Sequence, residues 1–264
     1  MTYVSPMEMP ARRYGLGQVV RAELIKLATL RSTLWVLLVT VAGTLGVTVL
    51  ATHGLGHHNP QWYQGFDPTN QSFTGLALGT LAIGVFGVLS VTGEYASGTI
   101  RSSLMAAPRR PLLLLGKILV VGTVILAVGE ALAFACFGLG MAVLSAVGAP
   151  SVALSHPGVL RAVTLSGAFL ALLGLLGLGL GVIIRHTAGA VAAYVGITFL
   201  LPVLLQRIPG TPSRYTPVGI LANSVSAVVH QSNQVSAPVG FGLMVLYATV
   251  ILGLGAIFIA RRDA

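Results

Sequence analysis

Long apolar segments separated by short polar ones set the pattern of this chain. Six of the segments are about 19 residues or longer. A helix rises 1.5 Å per residue, so about 20 apolar residues cross a hydrocarbon layer of about 30 Å. The pattern therefore predicts six membrane-spanning helices, at residues 34–52, 73–92, 118–147, 160–184, 187–205 and 239–260.

The composition supports the same class. Hydrophobic residues make up 55% of the chain and charged residues only 8%, whereas soluble domains carry about 25% charged residues. Such a chain cannot cover a water-facing surface, and 264 residues leave no room for a large soluble domain beside six spans. We expect an all-α integral membrane protein with one six-span transmembrane domain over residues 34–264.

The basic residues give the orientation. Six spans place both termini on one side, and that side then holds every Lys and Arg except Arg161, Arg207 and Arg214. Because positive charge is retained on the cytoplasmic side, both termini are predicted to be cytoplasmic. The net charge of +9 lies at span ends without a basic stripe, so nucleic acid is not an expected partner.

The segment before the first span has its own pattern. Residues 1–16 are rich in Pro and Arg and are predicted to be a flexible cytoplasmic tail. In residues 17–33, Val20, Leu24 and Leu27 share a helical face, and Glu23 and Lys26 are spaced to pair on its flank. We predict an amphipathic interfacial helix with Glu23, Lys26 and Arg31 at the membrane surface. A simple inward extension of the first span is the alternative.

The polar loop GEYASGTIRSSLMAAPRR, residues 93–110, lies between the second and third spans. Ser97 or Thr99 can cap a short helix, and Pro108 can end it. The pattern predicts a short helix across the inner mouth of the bundle. Its apolar side would hold Ile100, Leu104 and Met105, and Arg101 would lie on another side. A solvated linker is the alternative.

Glu130 is the only carboxylate well inside a predicted span. An ionised carboxylate there is costly, so it should face the bundle interior or be protonated. Substrate contact or proton sensing is one interpretation. A structural hydrogen bond to Thr164 or Ser166 is the other, and the sequence leaves both open.

Clustered histidines are candidates for metal binding, and regularly spaced glycines are candidates for close helix packing. His53, His57 and His58 cluster near the outer end of the first span, but Gly54 and Gly56 interrupt the helix that a metal site would need. We therefore expect outer-surface histidines and no metal site. Glycines four residues apart allow close helix approach, either at a dimer seam or within one subunit. They are Gly75 with Gly79 and Gly177 with Gly181.

Four segments together resemble the permease subunits of type-2 ABC transporters, which are mostly bacterial exporters. They are residues 22–33, 93–117, 184–202 and 214–223. The loop at 93–117 carries the strongest likeness. The four segments occur in the family's order, and with the matching topology they cover essentially the whole chain.

The resemblance implies a dimer of permeases, identical or related, above two ATP-binding subunits. The loop between the second and third spans would carry a coupling helix, about 98–107, that fits a cleft in the ATPase. Arg101 would be its polar anchor, and Glu94 and Tyr95 would hold the base of the loop. The residues implied in ATPase coupling are Glu94, Tyr95, Gly98, Thr99, Ile100, Arg101, Leu104 and Met105.

The chain contains no phosphate-binding P-loop. We expect no cofactor and no enzyme activity in this subunit, with ATP and Mg²⁺ bound by the partner. The predicted function is the permease of an ATP-driven exporter in a bacterial plasma membrane, surrounded by lipid. Its apolar, glycine-rich pathway suits an amphipathic drug, peptide or lipid, so multidrug or antibiotic export is expected. The alternative is a stand-alone secondary transporter or channel that uses Glu130.

Overall fold

The computed structural model describes residues 15–29, 31–56, 63–100, 110–209, 212–225, 227 and 235–261. The regular elements in these residues are all helical. In chain order they are α1 (Leu16–Thr29), α2 (Arg31–His53), α3 (Pro68–Ser72), α4 (Leu76–Ala96), α5 (Arg110–Ala146), α6 (Val159–Ile184), α7 (Thr187–Val195), α8 (Leu201–Leu205), α9 (Pro217–Ser224) and α10 (Ala237–Arg261). A π-helical turn, Gly196–Leu200, joins α7 to α8.

Six helices of the described part are long and apolar enough to cross a membrane, which confirms the six predicted spans. They are α2 from Thr33, α4, α5 from Pro111, α6, the continuous segment Thr187–Leu205, and α10. Three bounds differ by three or more residues from the sequence-based prediction. The second span begins at Leu76 and continues to Ala96, and the third helix begins eight residues early, at Arg110. Charged residues lower hydropathy without breaking a helix, which accounts for the later end of the second span and the earlier start of the third. The second span starts later because residues 73–75 form a turn after α3.

Helix α6 lies at the centre of the bundle, packed against α4, α5 and α10. Its contact with α4 depends on glycine residues of both helices. A Cβ added at Gly177 would overlap the carbonyl oxygen of Gly84, and one added at Gly87 would overlap that of Gly174. A Cβ added at Gly75, the residue before α4, would overlap the carbonyl oxygen of Thr44 in α2, and Gly79 of α4 lies against the hydroxyl of Thr44. The four-residue glycine spacing therefore serves packing within one chain.

The fifth span is irregular just before Pro202. Proline lacks an N–H group, and its ring clashes with the carbonyl of the residue four positions earlier. That residue, Thr198, lies inside the π-helical turn Gly196–Leu200. The wider turn separates the two groups and lets the span continue through α8.

Two of the predicted outer segments are joined by one carboxylate that was not identified from the sequence. Asp67 is buried, and its Oδ1 accepts hydrogen bonds from the backbone N–H groups of Thr69 (2.9 Å) and Asn70 (3.2 Å), capping α3. Its Oδ2 accepts from the backbone N–H of Ala227 at 3.0 Å. One side chain thus joins the first outer loop to the segment after α9.

Candidate functional site

Four charged side chains meet at the predicted inner end of the bundle. Lys117 of α5 donates to Glu23 Oε2 of α1 at 2.6 Å and to Glu94 Oε1 of α4 at 2.8 Å. Lys26 donates to Glu23 Oε1 at 2.9 Å and to Glu94 Oε1 at 3.1 Å. These four residues, which we call the inner ionic cluster, tie α1, α4 and α5 together across gaps of up to 94 positions in sequence.

Burial makes this cluster different from a surface ion pair. The side chain of Lys117 is 4% exposed and that of Glu23 is 3% exposed. Lys117 uses its third donor on the backbone carbonyl of Ser90 at 3.3 Å. Buried charges are tolerated only when they are paired and hydrogen-bonded, and two Glu with two Lys bring no net charge into the site.

The environment shifts the pKa of two members of the inner ionic cluster. Burial by itself raises the pKa of the Glu23 carboxyl, but attraction to Lys117 and hydrogen bonds from Lys117 and Lys26 outweigh it and leave the pKa lowered. Burial lowers the pKa of Lys26, but its bond to Glu23 and attraction to Glu94 leave it raised. Both residues are therefore charged at neutral pH.

Tyr95, the residue after Glu94 on α4, contacts a different set of helices. The guanidinium carbon of Arg185 lies 5.3 Å from the centre of the Tyr95 ring, within cation–π distance. Arg185 follows the last residue of α6 and donates from Nη2 to the backbone carbonyl of Phe258 in α10 at 3.4 Å. Tyr95 thus connects α4, through Arg185, to the end of α6 and to α10.

The start of the 93–110 loop is held at two neighbouring residues. Glu94 is held by its ion pairs and Tyr95 by its contact with Arg185. Beyond them, Ser97 Oγ donates to the Gly93 carbonyl at 2.8 Å, and Gly98 turns the chain with a φ of +70°. Ile100 is buried against Leu113 of α5, with Tyr95 packed beside them. The described part of the loop is therefore anchored to α4 and α5.

The predicted site residues have different outcomes. The Glu23–Lys26 pair forms as its spacing predicted, but Glu23 is buried and not on an exposed flank. Thr99 is exposed. Arg101, Leu104 and Met105 lie outside the described residues, as does most of the predicted coupling helix at 98–107, and the side chain of Arg31 is not described. The site roles of Lys117 and Arg185 were not predicted from the sequence.

A cavity adjoins the inner ionic cluster. Its volume is about 740 Å³, and it lies between α1, α2, α4 and α5. Glu23, Lys26, Glu94 and Lys117 all contribute to its walls, and so do apolar side chains deeper in the bundle. The charged groups therefore line a space large enough for a small molecule.

Glu130 occupies a different region of the molecule. It is half-buried on α5, and its side chain packs over Gly167 of α6. The hydroxyls of Thr164 and Ser166 donate to carbonyls of their own helix, Leu160 and Ala162. No hydrogen bond joins Glu130 to Thr164 or Ser166 in the described part of the chain, where each hydroxyl donates to a carbonyl of its own helix.

The histidines near the outer end of the first span are not brought into a described site. His53 ends α2 and is exposed. His57 and His58 lie outside the described residues.

Comparison with protein families places these features in a known group. Residues 19–206 match the model of the ABC-2 family transporter protein. The matched range includes α1, the inner ionic cluster, the loop after α4 and the first five spans. No match to a curated protein was found for the chain. With six helices able to span a membrane and a family match over most of its length, the chain belongs to the ABC-2 transporter family as a multi-pass membrane permease.

Proposed function

We propose that this chain is the permease subunit of an ATP-driven exporter and that it works as a dimer beneath which two separate ATP-binding subunits dock. The partners would bind ATP and Mg²⁺, and this chain would form the path for the substrate. The family match supports the permease role. The apolar character of the spans favours an amphipathic cargo such as a drug or antibiotic, exported across a bacterial plasma membrane.

The observation that carries the coupling proposal is the pair of connections at Glu94 and Tyr95. Glu94 is bonded to Lys117 and Lys26, and Tyr95 packs against Arg185. A displacement of the loop that follows would therefore act through Glu94 on α1 and α5, and through Tyr95 and Arg185 on α6 and α10. The contacts of Glu94 and those of Tyr95 are all made by buried or half-buried side chains.

The mechanism is a shift between two arrangements of the spans. ATP would close the ATPase pair and press on residues 98–107, with Arg101 as the polar contact. Binding energy that differs between an inward-open and an outward-open arrangement moves the population from one to the other. The inner ionic cluster would keep α1, α4 and α5 together during that movement.

Co-purification tests this proposal. Tagged wild-type protein would be isolated from its native membrane in mild detergent and compared with Arg101→Glu and with Arg161→Glu, the same substitution on the predicted outer side. We expect an ATPase subunit to accompany the wild type and Arg161→Glu, and to be weakened or lost with Arg101→Glu.

The opposite result is also informative. If well-folded wild-type protein carries no ATPase, judged by a single peak on size-exclusion chromatography, the exporter proposal fails. A stand-alone transporter would then be tested with Glu130→Gln. If both Arg variants retain the ATPase equally, the contact assigned to Arg101 is wrong.

A further inference from the structure

The two halves of the fifth span are held very differently. In the predicted inner half, α7, the side chain of Tyr194 is fully buried, and its hydroxyl donates to the backbone carbonyl of Thr80 in α4 at 2.7 Å. A Cβ added at Gly84 of α4 would overlap the Tyr194 ring, so the ring fills a notch that glycine leaves. Ala190, one turn earlier, is fully buried as well. Moving this half away from α4 would leave the Tyr194 hydroxyl without its acceptor in an apolar environment, which is unfavourable.

The outer half, α8, is packed much more loosely. Among its five described residues only Pro202 is buried. Leu200, which precedes it, is 57% exposed, and Val203 and Leu204 are 55% and 57% exposed. The main contacts of α8 are with the π-helical turn before it and with the turn Pro212–Tyr215 after it, not with the long spans. The outer half can therefore move at little cost in packing.

The junction between the two halves is a point where a helix bends easily. In the π-helical turn Gly196–Leu200, the N–H of Leu201 donates to the carbonyl of Gly196, five residues earlier. Pro202 has no N–H group with which to continue the helix hydrogen bonds. Bends in helices concentrate at prolines and at π-helical turns, and such turns are frequent at functional sites. Bending of the fifth span is therefore expected between α7 and α8.

A second cavity lies beside this junction. Its volume is about 290 Å³, and Phe199 of the π-helical turn forms one side of it. The other sides come mainly from α3, α4 and α9. The α9 side is held by Ile220, which is buried against Gly240 of α10. Phe199 therefore has space beside it into which the junction can bend.

We propose that the fifth span is hinged at the π-helical turn Gly196–Leu200. The inner half stays on α4, held by Tyr194, while the outer half swings and carries Phe199 into or out of the cavity beside α9. The cavity therefore closes in one position of the hinge and widens in the other. The use of this hinge as a gate for cargo at the predicted outer end rests on the proposed function, but the motion itself does not.

Fluorine NMR of single labels tests the hinge in the full-length permease, in mild detergent and without an ATPase. A trifluoromethyl label is attached to Val203→Cys in the outer half, to Ala192→Cys in the inner half, or to Leu246→Cys on α10, all at exposed positions. Wild-type protein, whose single cysteine Cys136 is buried, is the blank for labelling. We expect two resonances, or one broadened by exchange, from Val203→Cys and one sharp resonance from each of the other two sites.

Two variants test the junction itself. Deleting Gly196 together with Pro202→Ala removes the extra residue of the π-helical turn and supplies the missing N–H group, so that a regular α-helix can form. This variant should reduce the signal of the outer label to one sharp resonance. Pro217→Ala is the matched control, because Pro217 begins α9 and lies outside the fifth span. It should leave the signal of the outer label as in the wild type.

Several results would overturn the proposal. One sharp resonance from Val203→Cys at all temperatures would show a rigid outer half, and equal splitting at all three sites would show that the motion is not confined to it. An unchanged outer signal in the folded deletion variant would place the flexibility elsewhere. If that variant does not fold, Pro202→Ala alone is measured, and an unchanged signal would again contradict the hinge. Because the sample contains no ATPase, these results are independent of whether one joins the permease.

Discussion

Lys117 and Lys26 contact the same two carboxylates but differ in their exposure to solvent. The side chain of Lys117 is 4% exposed, while that of Lys26 is 37% exposed. Removing one partner from a buried ion pair leaves an uncompensated charge, whereas an exposed pair contributes little. At the residue scale, the stability of the inner ionic cluster therefore depends mainly on Lys117.

Replacing Lys117 with Met should destabilise the protein by about 3–5 kcal/mol, because Glu23 and Glu94 would stay buried without their cation. Lys26→Met is the matched control and should cost about 1 kcal/mol or less. Thermal unfolding in detergent, followed by intrinsic fluorescence, measures both. An equal loss of stability in the two variants would show that the burial of a lysine does not determine how much it stabilises the protein.

The lowered pKa of Glu23 gives a pH dependence with a definite sign. Its stabilising contribution is fully present above the unfolded-state value of 4.5 and is lost as pH falls through the lower folded-state pKa. The melting temperature of Glu23→Gln should therefore lie below that of the wild type by a constant amount above about pH 5 and approach it in more acidic buffer. A difference that grows as pH falls would contradict this assignment.

Sequence reasoning reached part of this site. The three-residue spacing of Glu23 and Lys26 predicted their pairing, because residues i and i+3 are neighbours on a helix. Nothing in the local pattern could bring Lys117 to Glu23, since that contact depends on how α5 packs against α1. Asp67 could have been identified, because Asp before Pro followed by polar residues is a typical helix start.

At the element scale, the contact between α4 and α6 depends on the absence of side chains. At Gly87 and Gly177 the two backbones approach so closely that a Cβ would overlap the carbonyl oxygen of Gly174 or Gly84. In lipid, where no hydrophobic force drives helices together, such close van der Waals packing is the main source of association. These glycines therefore hold the centre of the bundle.

Gly177→Ala should lower the melting temperature, because the added methyl group collides with the Gly84 carbonyl. Overpacking of this kind costs about 1–3 kcal/mol. Gly253→Ala in α10 is the matched control, since a Cβ at Gly253 has no atom within 4 Å. It should leave stability unchanged or slightly raised, as alanine favours helix. If both variants unfold at the wild-type temperature, the close packing at Gly177 is not needed.

A hydropathy pattern predicts some bounds of the spans better than others. The fifth span was predicted at residues 187–205 and is found at Thr187–Leu205, since apolar residues fill it. The third helix starts at Arg110 because Pro111 suits a first helical turn and Lys117 is neutralised by distant carboxylates. The π-helical turn before Pro202 was not predicted, because composition does not determine hydrogen-bond register.

At the scale of the whole molecule, burial is uneven among the spans. In α6, 72% of the most apolar stretch is buried, against 17% in the first span and 22% in both the fifth and the sixth. The fifth and sixth spans and the first therefore present most of their surface outward. Within a membrane those faces contact lipid or a second permease.

The proposed orientation can be tested with single cysteines. Cys136 is buried and pairs with Thr48, so it should react poorly with a bulky maleimide. Ser155→Cys, in the loop before α6, should be labelled by a membrane-impermeant maleimide on intact cells. Thr29→Cys, at the end of α1, should be labelled only after permeabilisation. Labelling in the reverse order would invert the topology.

The turn between α6 and α7 constrains how the protein is inserted during synthesis. It consists of Arg185 and His186 alone, and Arg185 is the one non-glycine residue of the described chain with a positive φ, at 60°. Two residues span at most about 7 Å, so the ends of α6 and α7 that meet here cannot move apart. We therefore expect the two helices to insert as one helical hairpin, with Arg185 on the predicted cytoplasmic side.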